Sequence, residues 1–250
     1  MDVLFLGKDN RYNILIDYLS KKNNVECIGY DNYKKGDIHN ISKYDMIILP
    51  MSGIKNGNAS NVVIPPNLFD NIKPNCIIYT GLIPKELENK YVISFLDDKD
   101  VKLENTNITI DGMMDDIKDK KKDNICILGY GNIGSIMYDK LKDKYNVSVG
   151  IDKNTSIHSI DNCFLTTNKK EMIKNLQNSD LIINTVPENI IKEEYAKNIK
   201  GYILDIASYP YGIDQNLVSK YNLSYHLYSG IPAKFDPERA GKILLKKFYW

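Results

Sequence analysis

The 250-residue sequence has little of what would commit it to several large classes of protein. It has no excess of either charge: Lys+Arg number 33 and Asp+Glu 32, leaving a formal net charge of +1. No global field therefore draws it to nucleic acid or to an anionic membrane. No apolar run approaches the roughly 20 residues that a membrane span needs. The chain starts directly on a strand-like Asp2-Val3-Leu4-Phe5-Leu6, without the basic region, apolar core and cleavage site of a secretory signal. A cytoplasmic protein with no nucleic-acid or membrane partner is expected. Histidine is scarce, at 3 residues. His39, His158 and His226 stand apart from the strand-end loops, except that His226 precedes Gly230 by four residues. A catalytic His paired with an acid is not evident, and His226 is expected as an ordinary strand residue. The four cysteines, Cys27, Cys76, Cys126 and Cys163, form no CxxC or Cys/His cluster. They are expected as buried, reduced thiols, with no metal site.

What the sequence does have is alternation. Short apolar runs (Val3-Leu6, Glu26-Tyr30, Met46-Leu49, Cys76-Tyr79, Tyr91-Ser94) are separated by amphipathic stretches, such as Ile14, Leu15, Tyr18 and Leu19 at helical spacing. Runs like Met46-Ile47-Ile48-Leu49 are apolar without alternation, as in a parallel strand covered on both faces. This is an α/β pattern. The rhythm breaks between Lys99 and Asp123, ending in the charged Asp115-Asp116-Ile117-Lys118-Asp119-Lys120-Lys121-Lys122-Asp123. A solvated linker or exposed helix is expected there, with a partner-docking surface as the alternative. A second series follows, with strands at Ile125-Leu128, Val147-Ile151, Leu181-Asn184, Tyr202-Asp205 and Leu223-His226. It closes on a helix opened by Asp236-Pro237-Glu238, with Ala240, Ile243, Leu244 and Phe248 on its apolar face. The expected organisation is two α/β domains in series. An N-terminal flavodoxin/Rossmann-like domain (1–100) leads through a linker (101–123) to a C-terminal NAD(P)-binding Rossmann domain (124–250).

The second series opens with the most informative motif. Ile125-Cys126-Ile127-Leu128 runs into Gly129-Tyr130-Gly131-Asn132-Ile133-Gly134, and Ile136, Met137 and Leu141 continue at helical spacing. The first glycine permits a tight turn, the second lets backbone approach a pyrophosphate, and the third lets the helix pack close to the strand. The helix start supplies N–H groups and a partial positive charge. The next strand ends at Asp152, 21 residues after Gly131, where an acid bonds the ribose hydroxyls of an adenosine. Such an acid repels a 2′-phosphate, so NAD is favoured over NADP. Ligands of open α/β sheets lie outside the carboxyl ends of the strands. This points to Thr185, Val186 and Pro187 after one strand and to Asp205, Ala207 and Ser208 after another. For proton abstraction the candidates are Asp111, Asp205, or water held by Ser52, Thr80 and Thr109.

Those strand ends carry a family resemblance. Leu204-Asp205-Ile206-Ala207-Ser208 resembles the L-D-[LI]-A-S of the dipicolinate synthase A-subunit family, and Ser229-Gly230-Ile231-Pro232 resembles its P-G-L-P. Arg239-Ala240-Gly241, Asn184-Thr185-Val186-Pro187, Leu128-Gly129-Tyr130-Gly131, Ile47-Ile48-Leu49-Pro50-Met51-Ser52 and Thr80-Gly81 fall in the same order as the family's segments. Asn105-Thr106-Asn107-Ile108-Thr109-Ile110-Asp111-Gly112 is similar to its N-S-x-P-T-x-E-G, with Ile108 for the proline and Asp111 for the glutamate. A shorter, highly charged helix after it and an early end at Trp250 mark a divergent, shortened member.

The resemblance implies a sporulation enzyme that oxidises dihydrodipicolinate, or its hydrated precursor, to dipicolinate, using NAD or NADP and a flavoprotein-like B subunit. A basic residue commonly near the position of Asp152 in that family would suit NADP. It implies catalytic roles for Asp111, Thr109 and Asp205. A small dicarboxylate would be bound by Ser52, Gly53, Thr80, Gly81, Gly230 and Pro232, with Lys55 and Lys234 as further cationic options. Two other readings stay open: another NAD(P)-dependent oxidoreductase, of the 2-hydroxy acid or shikimate dehydrogenase type, and a non-catalytic NAD-binding regulatory subunit. Whether the chain forms a homo-oligomer is also left open.

Overall fold

The structure is a computed structural model and describes residues 1–152, 160–228 and 230–248; His158 and Ser229 lie outside them. The chain divides into two compact units, one of residues 1–109 with 232–250, the other of 110–231.

The first unit is built on five parallel strands. β1 (Asp2–Leu6), β2 (Asn24–Ile28), β3 (Met46–Ile48), β6 (Ile77–Thr80) and β7 (Val92–Ser94) lie in the order β2-β1-β3-β6-β7, and a small antiparallel hairpin pairs β4 (Asn58–Ala59) with β5 (Val62–Val63). Counting the sheet's own strands, this is the 2-1-3-4-5 order of flavodoxin-like folds. The unalternating run Met46–Leu49 is buried throughout, because layers cover both faces of the sheet. On one face Phe5, Tyr12, Leu15, Leu19, Met46, Ile48, Tyr79 and Phe95 pack together; on the other, Leu4, Leu6, Ile47, Phe69 and Ile78 do. α1 (Asn13–Leu19) supplies Leu15, Ile16 and Leu19 to the first of these cores.

The second unit holds six parallel strands: β8 (Asn124–Leu128), β9 (Asn146–Ile151), β10 (Cys163–Leu165), β11 (Leu181–Asn184), β12 (Tyr202–Asp205) and β13 (Tyr225–Leu227). Their order, β10-β9-β8-β11-β12-β13, is the 3-2-1-4-5-6 of a dinucleotide-binding Rossmann sheet. Helices α3 (Asn132–Leu141), α4 (Lys169–Asn178), α5 (Glu193–Ala196) and α6 (Gln215–Lys220) connect them. Asn168 caps α4, its side chain accepting from the backbone N–H of Lys170 and Glu171.

Two expectations about domain boundaries are corrected. Residues 101–123 are not a linker: Lys99–Asp116 is a single helix, α2, with Val101 in the first unit's core and Ile110 and Met113 in the second's. Nor does the second unit extend to 250. After α7 (Ile231–Phe235), the C-terminal helix α8 (Pro237–Leu245) packs on α1, burying Leu244 and Leu245 in the first unit's core. The capping prediction for α8 holds, with Asp236 Oδ1 accepting from Arg239 N at 3.0 Å and Pro237 in the first turn. Two smaller differences are the strand Cys163–Leu165, which the sequence pattern did not suggest, and the last strand, which lies at 225–227 rather than 223–226. His226 sits exposed in that strand, its ring 5.0 Å from that of Tyr228.

The cysteines are free thiols, buried at Cys27, Cys76 and Cys126 and half-buried at Cys163. Burial pushes the Cys76 thiol up to about 11 and that of Cys126 to about 12, so neither supplies thiolate near neutrality. Among the described residues no helix is long and apolar enough to cross a membrane.

Candidate functional site

The β8–α3 turn is built as its glycines require. Gly129 takes φ +100°, and a side chain there would meet Thr185 Oγ1 at 2.4 Å. Gly134 packs the start of α3 onto the turn so closely that a Cβ would lie 2.1 Å from the Gly129 carbonyl oxygen. Gly131 differs: it is exposed, and a Cβ on it would meet nothing within 4 Å. Gly131 is the N-cap of the ten-residue α3 and offers no side chain to its first N–H groups. Asn132 is exposed beside it, Ile133 half-buried, and Gly134 buried. Uncapped N–H groups beside open space suit an anionic ligand, so these residues fit the pyrophosphate of a dinucleotide.

The end of β11 closes the floor of this turn. Thr185 gives both its N–H and its Oγ1 to the Leu128 carbonyl, each at 2.9 Å. Val186 N donates to Asn184 Oδ1 at 3.2 Å, and Asn184 Nδ2 donates to Val186 O at 2.9 Å. Thr185 and Val186 are half-buried and Pro187 is exposed. Asp152 stands exposed where β9 ends, the register expected of a ribose ligand.

Asp205, expected as a catalytic acid, is instead a fully buried structural carboxylate. Oδ1 accepts from Asn184 Nδ2 at 2.8 Å and from Ala207 N at 3.2 Å; Oδ2 accepts from Gly212 N at 2.7 Å and from Tyr225 OH at 3.3 Å. Burial and this carboxylate push the Tyr225 phenol up to about 12. Both of its oxygens are engaged by groups of the protein itself, which gives Asp205 a structural role. It fixes the loop after β12, on which Ala207 is buried and Ser208 exposed. Asn184, its partner, was legible only as part of a motif; burial makes it a hub.

The other two catalytic candidates sit on α2. Thr109 Oγ1 donates to Asn105 O at 2.7 Å, within its own helix. Asp111 keeps 42% of its side chain exposed and lies 3.6 Å from Lys140 Nζ on α3. Of the three candidates, only Asp111 presents a carboxylate to solvent.

The substrate candidates fall on both units. In the first, Ser52 is exposed on the loop after β3, while Thr80 is fully buried and shares its hydroxyl proton between Pro50 O and Leu82 O, both at 3.1 Å. Leu82 N donates to Met51 O at 3.1 Å, and a Cβ at Gly81 would lie 2.2 Å from that oxygen. Gly53 N closes the turn on Pro50 O at 2.8 Å. Thr80 and Gly81 thus hold the loop that offers Ser52 and do not face a ligand themselves. Gly230 is exposed at φ +67°, and Pro232 is half-buried in α7.

One arrangement the sequence did not suggest anchors that same loop. Asp9 accepts Met51 N on Oδ2 at 3.1 Å and is gripped by Arg11 through Nε at 2.8 Å and Nη2 at 2.6 Å. In the first unit the chain after β1 packs closely on the small hairpin. After β1, a Cβ at Gly7 would strike the Ala59 carbonyl at 2.3 Å, while Asn61 takes Lys8 N at 3.0 Å and donates to Gly29 O at 2.8 Å.

Comparison with known proteins agrees with this layout. Residues 2–94 match the family of N-terminal domains of the dipicolinate synthase A subunit, and residues 117–220 match the NADPH-binding domain family of acetohydroxy acid isomeroreductase. Over 98% of its length the chain is 26% identical to the dipicolinate synthase A subunit of Bacillus subtilis, covering 93% of that protein. The likeness to this protein runs from end to end. The crystal structure of the A subunit from Bacillus halodurans superposes with a TM-score of 0.80 at 22% identity, covering 99% of this chain and 96% of the other. An NADPH-dependent glyoxylate/hydroxypyruvate reductase from Sinorhizobium meliloti superposes with a TM-score of 0.60 at 13% identity, covering 98% and 92%. The second unit therefore has the Rossmann fold of an NAD(P)-binding domain.

Proposed function

We propose that this protein is the A subunit of a dipicolinate synthase, oxidising dihydrodipicolinate, or its hydrated precursor, to dipicolinate with NAD(P) and a flavoprotein-like B subunit. The observation that carries the reading is the open Gly131 at the uncapped start of α3, in a chain similar to that protein throughout.

When bound, the nicotinamide supplies a hydride acceptor, and aromatisation of the substrate ring drives the transfer. In this reading the first-turn N–H groups of α3 hold the pyrophosphate. Asp152 bonds the adenosine ribose, and Thr185, Val186, Pro187, Ala207 and Ser208 border the nicotinamide side. Asp111 is the carboxylate able to accept the ring proton. Ser52, on the loop anchored by Asp9, offers a hydroxyl to a substrate carboxylate, Gly53 closes the turn that presents it, and Gly230 and Pro232 are further candidate contacts. For each dihydrodipicolinate consumed, one NAD(P)+ becomes NAD(P)H and one proton is released.

The test is turnover of dihydrodipicolinate by the chain with and without a B subunit, following dipicolinate and reduced nicotinamide together. Stoichiometric formation of both supports the reading. Nucleotide binding with no dipicolinate formed, B subunit included, contradicts it.

A further inference from the structure

Among the described residues, the most exposed large apolar side chain is Tyr209, at 81%. It stands in the loop after β12, directly after Ser208. Exposed rings are ordinary on flexible surface, but this loop is tied down. The Asp205 carboxylate takes the N–H of Ala207 at one end and of Gly212 at the other, and Tyr211 N closes a turn onto Ser208 O at 3.0 Å. Tyr211 is held at φ +70°, a conformation that a bulky residue adopts only where its surroundings impose it. Its ring meets that of Tyr209 edge-on, at 5.6 Å between centroids and 88° between planes. A buried charge, a strained residue and an aromatic contact thus all serve to hold one ring in solvent.

The sheet order says what lies nearby. With Asp152 at the end of β9 on the adenosine side, a dinucleotide crosses the switch point between β8 and β11, and its other half lies toward the ends of β11 and β12. We propose that Tyr209 is a stacking platform for a pyridine ring, that of the nicotinamide or of a pyridine dicarboxylate, and so helps set ligand specificity. The proposal rests on the cofactor reading of this unit. Aromatic faces prefer offset stacking, and an electron-poor pyridine ring suits the electron-rich phenol.

Binding to the full chain tests it, with NAD+, ADP-ribose (the same dinucleotide frame without the pyridine ring) and dipicolinate as probes against Tyr209→Ala and Tyr209→Phe. The expected result is a loss of about 2- to 12-fold for a pyridine-bearing ligand in Tyr209→Ala. Tyr209→Phe should stay within about twofold, and ADP-ribose binding should be unchanged. Loss confined to NAD+ assigns the platform to the nicotinamide, and loss confined to dipicolinate assigns it to the substrate ring. Equal loss for ADP-ribose, or no loss for either pyridine ligand, overturns the proposal. If the unsubstituted chain binds neither NAD+ nor ADP-ribose, the cofactor reading itself fails.

Discussion

Asn184 Nδ2 donates to Asp205 Oδ1 across 2.8 Å, and neither side chain has any exposed surface. The contact ties the end of β11 to the end of β12, and through Val186, Ala207 and Gly212 it shapes both loops. Asp205→Ala leaves these buried donors without an acceptor, at a cost of about 1–3 kcal/mol for each one left unsatisfied. Chemical denaturation should show about 3 kcal/mol of lost stability or more. An unchanged midpoint with lost turnover would instead return Asp205 to catalysis.

How much of this was legible in the sequence differs from element to element. The β8 turn announced itself because its three glycines, two required by close approaches and one left open, are written within six residues. The role of Asp205 was not legible, since a buried carboxylate at a strand end and a reactive one share the same letters; only its four donors distinguish them. For α2 the sequence left a solvated linker or an exposed helix open and missed its burial, because Asn105, Thr106, Asn107 and Thr109 are weak helix formers and its apolar residues enter different cores at its two ends, leaving no single stripe. The placement of α8 rests on a long-range contact: a Cβ at Gly241 would come 2.3 Å from the Arg11 carbonyl, an approach that no local pattern encodes.

In the first unit, Glu26 gives a pH signature. Burial pushes its carboxyl up, but hydrogen bonds from Lys43, Tyr44 and Lys34 outweigh this and hold it at about 2, against an ordinary 4.5. Its folded value lies below its unfolded one, so its contribution is complete above about 4.5 and is lost as pH falls toward about 2. Glu26→Gln should lower stability near neutrality by about 1–2 kcal/mol, the lysines being free to return to solvent. It should also flatten the acid limb of a denaturation series across that window. An acid limb identical to that of the unsubstituted chain would contradict the assignment.

Asp152 carries the expectation of NAD. Removing its charge with Asp152→Ser should shift the ratio of NADPH to NADH affinity by about tenfold toward NADPH, the scale of a single charge repulsion near the surface. Competitive titration of the two nucleotides measures that ratio. A ratio unmoved by the substitution would free Asp152 of any ribose role.

Binding of a dinucleotide pyrophosphate by the turn at 129–134 is tested most directly at Gly131, because its Cβ would meet no protein atom within 4 Å. Gly134→Ala, which drives a Cβ against the Gly129 carbonyl, should damage stability and binding together. Gly131→Ala should leave the unfolding free energy within about 0.5 kcal/mol of the original, yet weaken NADH and NADPH binding by about tenfold or more, since the new methyl stands where the pyrophosphate approaches. Nucleotide binding by Gly131→Ala equal to that of the unsubstituted chain, in a protein equally stable, would contradict the claim.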